Sequence, residues 1–179
     1  MSFLIRDFEP LDTHRVNDIA LAAFAQYRDD YREWPALSQS IGQMSALAAH
    51  GELIVAAQGS DVLGAVVYVG PLSPKSPHYD QSWPIIRMLV VAPEARGRGI
   101  GRALTGECLR RARRDGVPQI ALHASPIMAV ALEMYLRMGF VHLRSVPKMH
   151  GVPYAIYLKR LDPLEIVIVD AEKLRCSEE

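Results

Sequence analysis

Arg96-Gly97-Arg98-Gly99-Ile100-Gly101 is the stretch that decides the fold of this 179-residue chain. It follows an apolar run over 85–91 that is typical of a buried strand, and it opens a segment with helical periodicity. Glycines let an anion approach the unpaired N–H groups at a helix start, where the helix dipole is positive. The pattern therefore predicts a backbone cradle for an anion, such as the pyrophosphate of a nucleotide-type cofactor.

Two common phosphate-binding motifs do not match this turn. A dinucleotide fingerprint needs the spacing GxGxxG and an acidic residue about 20 positions later. The glycine spacing here is one residue short, and the following strand ends at His123. A P-loop needs Lys and then Ser or Thr after its last glycine, whereas arginine and alanine follow Gly101. A tight strand-to-helix turn without a ligand stays open as the alternative.

Composition limits the classes of protein to which the chain can belong. It carries 20 basic and 20 acidic residues, so no global field attracts nucleic acid or a membrane surface. Cys108 and Cys176 are far apart and form no metal-type pair, and no apolar run approaches the roughly 20 residues that span a bilayer. Charge comes too early at the N-terminus for a signal peptide. We expect a cytoplasmic protein that binds no metal, nucleic acid or membrane.

Hydrophobic periodicity predicts the element order β, α, α, β, β, β, α, β, α, β, β. We expect one domain over 1–161 and a tail over 162–179, in which an extra strand at 166–169 offers an edge for a homodimer. The second helix is expected over 38–50. The strand over 85–91 is apolar nearly throughout, which predicts that both of its faces are covered. This order describes a mixed sheet with helices on both faces.

A second motif lies about 35 residues after the glycine turn. The segment 131–140, Ala-Leu-Glu-Met-Tyr-Leu-Arg-Met-Gly-Phe, is a helix that closes at Gly-Phe. With the Arg-x-x-Gly-x-Gly pattern of Arg96, Gly99 and Gly101, it resembles the GNAT superfamily of N-acetyltransferases. The resemblance covers roughly 3–160 and is sharp over 85–140. It implies an α/β (α+β) fold with a largely antiparallel sheet splayed between its fourth and fifth strands and helices on both faces.

The resemblance also implies acetyl-CoA as the co-substrate. The reaction would move the acetyl group to a primary amine of a small molecule or a protein, by direct attack in a ternary complex. The turn would hold the pyrophosphate, and the fourth strand would pair with the pantetheine arm. The positions expected to contact acetyl-CoA are Leu89, Val90, Val91, Arg96, Gly97, Arg98, Gly99, Ile100, Gly101, Arg102 and Met128. Relatives often carry asparagine where Met128 stands, and Arg98 and Arg102 can equally belong to a solvated face.

Tyr135 occupies the position at which the superfamily places a catalytic tyrosine. The thiolate that leaves the thioester needs a proton, and the reference pKa values of a thiol and a phenol, about 8.5 and 10, suit that transfer. The resemblance therefore implies that Tyr135 is the general acid. Its helical spacing with Leu132 and Leu136 also suits a core aromatic residue. The backbone N–H of Val90 or Val91 is the candidate donor to the carbonyl oxygen.

The general base is unassigned in the sequence. Many relatives place a glutamate in the fourth strand, but no carboxylate lies within 85–91. His123 at a strand end and Glu33 in a polar loop are the candidates; a core histidine and a solvated loop carboxylate are the plainer interpretations. A non-catalytic sensor or regulatory module that binds acetyl-CoA or CoA is the alternative function. The loops 27–35 and 70–84 are expected to shape the acceptor pocket, and the sequence does not identify the acceptor.

Overall fold

A mixed sheet organises residues 2–161, the part of the chain that the computed structural model describes. Its spatial order is β1-β2-β3-β4-β5-β7-β6, and only the β4–β5 pair is parallel. The strands are β1 (Leu4–Asp7), β2 (Glu52–Gln58), β3 (Asp61–Val69), β4 (Ile85–Val91), β5 (Gln119–Ala124), β6 (Val141–Met149) and β7 (Val152–Arg160). This topology confirms the expected fold class.

Four α-helices complete the described part of the chain: α1 (Thr13–Phe24), α2 (Trp34–Ile41), α3 (Ile100–Arg114) and α4 (Ala129–Arg137). Both α1 and α3 pack against β3 and β4. Nearly every residue of β2 and β3 is buried, and successive strand residues point to opposite faces, so both faces of these strands are covered. No helix within 2–161 is long and apolar enough to cross a membrane.

The bounds expected for the second helix were wrong. Instead of one helix over 38–50, α2 begins at Trp34 with Pro35 in its first turn and ends at Ile41, and a separate 3₁₀ segment spans Met44–Ala49. Proline suits the first turn because its missing N–H has no helical partner there. Gly42 ends α2, and its N–H bonds to the carbonyl of Ser38.

Gly64 in β3 allows α3 to approach the sheet closely. A Cβ at this position would lie 2.8 Å from the carbonyl oxygen of Val90 and 3.1 Å from a methyl group of Ile100. Ile100, Leu104 and Cys108 form the buried stripe of α3. The close contact fixes the start of α3, and with it the glycine turn, beside β4.

The sheet divides where β4 and β5 separate. The two strands pair only at Ile85 with Ala121 and at Ile86 with Leu122, although β4 continues to Val91. Met88 has a positive φ of 54°, and the β3–β4 register shifts between Ala65 and Val67. An extra residue of this kind is a β-bulge, which bends the strand and increases its twist. The edge of β4 that faces β5 is therefore open from Arg87 onward.

This splay corrects the expectation that both faces of the fourth strand are covered. Arg87 is exposed, and Met88, Leu89 and Val91 are only partly buried, because their part of β4 borders a cleft and not a neighbouring strand. An apolar run does not distinguish these two surroundings. The tail over 162–179, with the strand expected at 166–169, lies outside the described residues, so the homodimer expectation stays a prediction.

Candidate active site

The glycine turn forms one end of a cleft of about 450 Å³, here called the donor cleft. Gly97 and Gly99 have φ values of 75° and 79°, and a Cβ on either would meet no protein atom within 4 Å. The backbone N–H groups over 97–102 have no backbone partner within 2–161; the first one bonded belongs to Ala103, which donates to Gly99. These groups point from a positive helix end and form an open cradle that fits a pyrophosphate.

The arginines of the turn differ in their surroundings. The guanidinium of Arg96 donates to the carbonyl of Ala23 at 3.4 Å and thus joins the turn to the end of α1. Arg102 lines the donor cleft. Arg98 is not in the lining, and it donates to the side chain of Gln58 at 2.8 Å. The geometry favours Arg102 over Arg98 as a phosphate contact.

The predicted acetyl-CoA contacts otherwise come together around the donor cleft. Its lining includes every predicted position except Arg98: Leu89, Val90, Val91, Arg96, Gly97, Gly99, Ile100, Gly101, Arg102 and Met128. Leu89 and Val91 lie on the open edge of β4, where unpaired backbone groups can accept an added strand. A Cβ on Gly101 would contact Leu89, Val91 and Met134 at 3.6–3.8 Å, so Gly101 widens this channel.

A second cleft of about 680 Å³, here called the acceptor cleft, lies on the other side of the splay. Phe24, Leu89, Met128 and Ala131 line both clefts, so the two meet beside the bulge of β4. Its walls are mainly apolar and aromatic, with contributions from α2, from both acceptor-loop candidates and from β7: Tyr31, Leu37, Ile41, Met44, Tyr79 and Tyr154. This arrangement places a donor channel and an acceptor pocket end to end.

Tyr135 of α4 lines the acceptor cleft near this junction. Its ring packs edge-on against Phe140 with centroids 5.7 Å apart, and its hydroxyl has no hydrogen bond within 2–161. Burial raises the pKa of Tyr135 above its ordinary value, which keeps the phenol protonated. The ring is thus a core aromatic residue and the hydroxyl is a free donor, so the two sequence interpretations are compatible.

His123, the last residue but one of β5, also lines the acceptor cleft. Its ring stacks on Tyr79 with centroids 4.4 Å apart, and its Nε2 is buried without a hydrogen-bond partner. Burial lowers the pKa of His123 to about 4, and the nearby charges of His78 and Arg87 add to the effect. A neutral imidazole with a free nitrogen can accept a hydrogen bond, but at this pKa it is a weak base.

Glu33 does not belong to the lining of either cleft. Its carboxylate lies 3.2 Å from Nδ1 of His150 and is largely exposed. His150 does line the acceptor cleft, as do Tyr31 and Tyr154, whose buried hydroxyls hydrogen bond to each other. The structure therefore connects Glu33 to the rim of the cleft through His150 and does not place it among the walls.

Three features of the site were not identified from the sequence. The bulge at Met88 leaves no sequence signal, because methionine is uncommon at positive φ. The Tyr31–Tyr154 pair joins residues 123 positions apart, so only the tertiary fold reveals it. Arg87, in contrast, had a signal: it is the one charged residue of an otherwise apolar strand.

Comparison with known proteins agrees with this geometry. The model of the acetyltransferase (GNAT) family matches residues 14–140, and the chain belongs to that family. A 96-residue stretch is 35% identical to N-acetyltransferase 8F1 of Rattus norvegicus and to the probable N-acetyltransferase family 8 member 5 of Mus musculus. The match covers 54% of this chain and 42% and 41% of those relatives. The chain therefore spans less than half the length of the curated relatives that it matches.

Solved structures share the fold at low sequence identity. PH1933 from Pyrococcus horikoshii matches with a TM-score of 0.72 at 18% identity over 90% of this chain and 99% of its own. Ard1 from Thermoplasma volcanium matches with a TM-score of 0.71 at 18% identity over 90% and 99%. YncA from Salmonella typhimurium, whose structure contains its cofactor acetyl-CoA, matches with a TM-score of 0.68 at 15% identity over 91% and 96%.

Proposed function

We propose that the protein is an N-acetyltransferase that uses acetyl-CoA as donor and a primary amine as acceptor, by direct attack in a ternary complex. The observation that carries the proposal is the meeting of the two clefts at the open edge of β4. One cleft ends in an anion cradle and the other in an apolar pocket. The two substrates can therefore be bound together with their reacting groups at the junction.

The donor side of this arrangement binds through main-chain groups. The free N–H groups over 97–102 would hold the pyrophosphate, with Arg102 beside them. The open edge of β4 over 89–91 would pair with the pantetheine arm, and Met128 and Ala131 would cover its end. Acetyl-CoA, when bound, supplies the thioester. A main-chain N–H of Leu89, Val90 or Val91 is the donor available to its carbonyl oxygen.

Two protons must move during the transfer: the acceptor amine loses one, and the departing sulfur gains one. The amine must be neutral to attack, whereas a lysine-type ammonium keeps its proton to a pH of about 10.4. His123 can accept a hydrogen bond from the amine through its free Nε2, but its low pKa means that the proton leaves through water. As the C–N bond forms and the C–S bond breaks, the hydroxyl of Tyr135 donates to the departing sulfur.

The first experiment measures binding and turnover separately. Acetyl-CoA at about 100 times its Kd should stabilise the protein by about 2.7 kcal/mol, or a rise in Tm of about 5 to 10 °C at this chain length. Thiol release across a panel of amines, with mass detection of the acetylated product, then tests transfer. An absence of any thermal shift at saturation would refute the donor assignment.

The second candidate function is a sensor that binds acetyl-CoA or CoA without turnover. It is favoured by one observation: no Asp or Glu side chain lines the acceptor cleft within the described chain, so no strong carboxylate base is present. The two functions separate in the same experiment. A sensor would show the thermal shift with acetyl-CoA but no acetylated product from any amine, at any pH between 6 and 9.

A further inference from the structure

The charged side chains that line the acceptor cleft have a single sign. Its charged lining residues within 2–161 are Lys75 and Arg87, accompanied by the imidazoles of His50, His123 and His150. Three carboxylates lie near this lining without belonging to it: Glu33 beside His150, Asp80 near Lys75 and Asp30 near Tyr31. A pocket of this kind repels an ammonium group that enters without an anion of its own.

Lys75 is already engaged in its own loop. Its ammonium donates to the backbone carbonyls of Gly70, Ser73 and Gln81 at 2.8–3.2 Å. These three bonds use the three donors of the ammonium and hold the proline-rich loop closed over this side of the cleft. Lys75 therefore shapes the wall and has no donor left for a substrate.

Arg87 has no such engagement. Its side chain makes no ion pair or hydrogen bond with any described residue, and it lies where β4 stops pairing with β5. Its charge acts on the stacked pair of the cleft wall: burial raises the pKa of Tyr79 and Arg87 opposes that rise, whereas burial lowers the pKa of His123 and Arg87 adds to the effect. A guanidinium beside an otherwise apolar pocket is a ready partner for a carboxylate, which it can bind through two parallel hydrogen bonds.

Arg87 is also close to the junction of the clefts. It precedes Leu89, which lines both of them, by two positions across the bulge at Met88, so their backbones are at most about 7 Å apart. A carboxylate on Arg87 and an amine at the junction can therefore belong to one small molecule. The aromatic and aliphatic walls, which include Tyr31, Leu37 and Met44, would receive an apolar side chain of the same molecule.

We propose that the acceptor is a free α-amino acid with an apolar or aromatic side chain, and that Arg87 binds its carboxylate. This inference rests on the proposed acetyltransfer and names its substrate class. A carboxylate on Arg87 offsets the repulsion of the ammonium as it enters. Lys75, the other charged residue of the lining, then favours loss of the amine proton to water, which suits a lining without Asp or Glu in the described chain.

The test compares amines that differ in the carboxylate, with kcat/KM expressed per concentration of neutral amine because the change also alters the pKa of the amine. Phenylalanine, phenylalaninamide and phenethylamine are offered to the full chain with acetyl-CoA, and kcat/KM is measured for each. Phenylalanine should exceed the other two by about 30-fold or more, the ratio expected for loss of a charge-assisted pair. In Arg87→Met this preference should disappear, mainly through a higher KM, whereas Arg110→Met on the exposed face of α3 should retain it.

A binding measurement keeps the inference separate from turnover. Calorimetric titration of phenylalanine and of phenethylamine into the protein with CoA should show a preference for phenylalanine that Arg87→Met removes. That result supports carboxylate recognition by Arg87 even if no amine is acetylated; the amino acid would then be a ligand of this cleft and not an acetyl acceptor. Equal binding and equal turnover of the three amines, or a preference for a peptide N-terminus over the free amino acid, would overturn the inference.

Discussion

Tyr135 and His123 show how the surroundings of a side chain alter its chemistry at the scale of the single residue. Burial, with a smaller effect of Cys108, raises the pKa of the Tyr135 phenol, because an anion there would lose its hydration. The same effect keeps the imidazole of His123 neutral. The sequence supplied both residues as candidates, but their protonation depends on neighbours from other elements, such as Tyr79 and Phe140.

Replacing Tyr135 with phenylalanine tests the proposed proton donor. Tyr135→Phe retains the ring contact with Phe140 and removes only the hydroxyl, so the fold and the affinity for acetyl-CoA should change little. We expect kcat to fall by about 100-fold, the range typical of general acid catalysis. Thiol-release kinetics and calorimetry measure the two quantities. Tyr157→Phe is the matched control, because Tyr157 is a buried ring outside both clefts. An unchanged kcat in Tyr135→Phe would show that Tyr135 is not the general acid.

The lowered pKa of His123 predicts a pH dependence of stability. The unfolded histidine titrates at a pH of about 6.5, whereas His123 in the folded protein has a pKa of about 4. Between these two values only the unfolded chain binds the proton. The contribution of His123 to the free energy of unfolding is therefore complete above pH 6.5 and is lost as the pH falls towards 4. Allowing for partial exposure, the loss is about 1 to 2 kcal/mol. Urea unfolding at pH 7 and at pH 4.5 measures the free energy of unfolding, and its decrease between the two pH values should be smaller in His123→Asn than in the wild type. His14→Asn, at an exposed position, should lose as much stability between pH 7 and pH 4.5 as the wild type does. An equal loss in all three proteins would contradict the prediction.

Site residues with a recognisable motif could be predicted from the sequence, and the acceptor wall could not. The cradle depends on glycines at fixed spacing, which a sequence displays directly, and ten of the eleven expected contacts line the donor cleft. Arg98 is the exception, because its partner Gln58 comes from a distant hairpin. Tyr31, Tyr79 and Tyr154 come together only through the tertiary fold, since no local pattern links their positions.

The start of α3 is the element on which donor binding depends. Gly99 is the residue before the helix, and its left-handed backbone turns the free N–H groups towards the cleft. Residues that carry a Cβ adopt this left-handed conformation at a cost of roughly 1–2 kcal/mol. The glycine therefore serves two purposes: it permits the turn, and it leaves room for an anion.

A matched pair of glycine substitutions separates these purposes. Gly99→Asp places a negative side chain in the cradle, and we expect the Kd for acetyl-CoA to rise by at least about 100-fold. Gly59→Asp is the control, because Gly59 has a similar φ of 61° and equally open surroundings in the β2–β3 hairpin. The free energy of unfolding, measured by urea denaturation, should fall by a similar amount in both variants. Similar losses of acetyl-CoA affinity in the two variants would show that strain, and not the cradle, is responsible.

Element order could be predicted more accurately than element ends. Hydrophobic periodicity depends on burial and identified every strand and α-helix of the described chain in the right order. The ends depend on local hydrogen bonds that the pattern does not show. Asp12 occupies the N-cap position of α1, but its carboxylate accepts from the backbone N–H of Glu9 at 2.9 Å and from Arg6, and makes no hydrogen bond to the first turn of the helix.

At the scale of the whole molecule, Arg111 joins elements that are distant in the chain. Its buried guanidinium contacts Asp7 of β1, Glu52 of β2 and Glu107 of α3, the last at 2.9 Å. The pairing with Asp7 could not be predicted, because 104 residues separate the two side chains.

Removal of this connection tests its contribution to stability. Arg111→Met retains most of the apolar volume and leaves three carboxylates without a shared cation. Because Asp7 and Glu52 are partly exposed, we expect a loss of about 2 kcal/mol, below the range for fully buried pairs. Arg110→Met, at an exposed neighbour on α3, should change the free energy of unfolding by less than about 0.5 kcal/mol. Urea denaturation measures both variants, and equal effects would contradict a special role for Arg111.

The division of the sheet between β4 and β5 has a consequence for cooperativity. The halves β1–β4 and β5–β7 share two backbone residue pairs, and α3 packs mainly on β3 and β4, so the halves are linked chiefly by the short β4–β5 pairing and by side-chain packing. Units joined in this way can open separately, and amide hydrogens at their boundary exchange with solvent before those in the middle of each half. A molecule lying in the gap would hydrogen bond to one half and pack against the other, so it would make the two halves unfold as one unit.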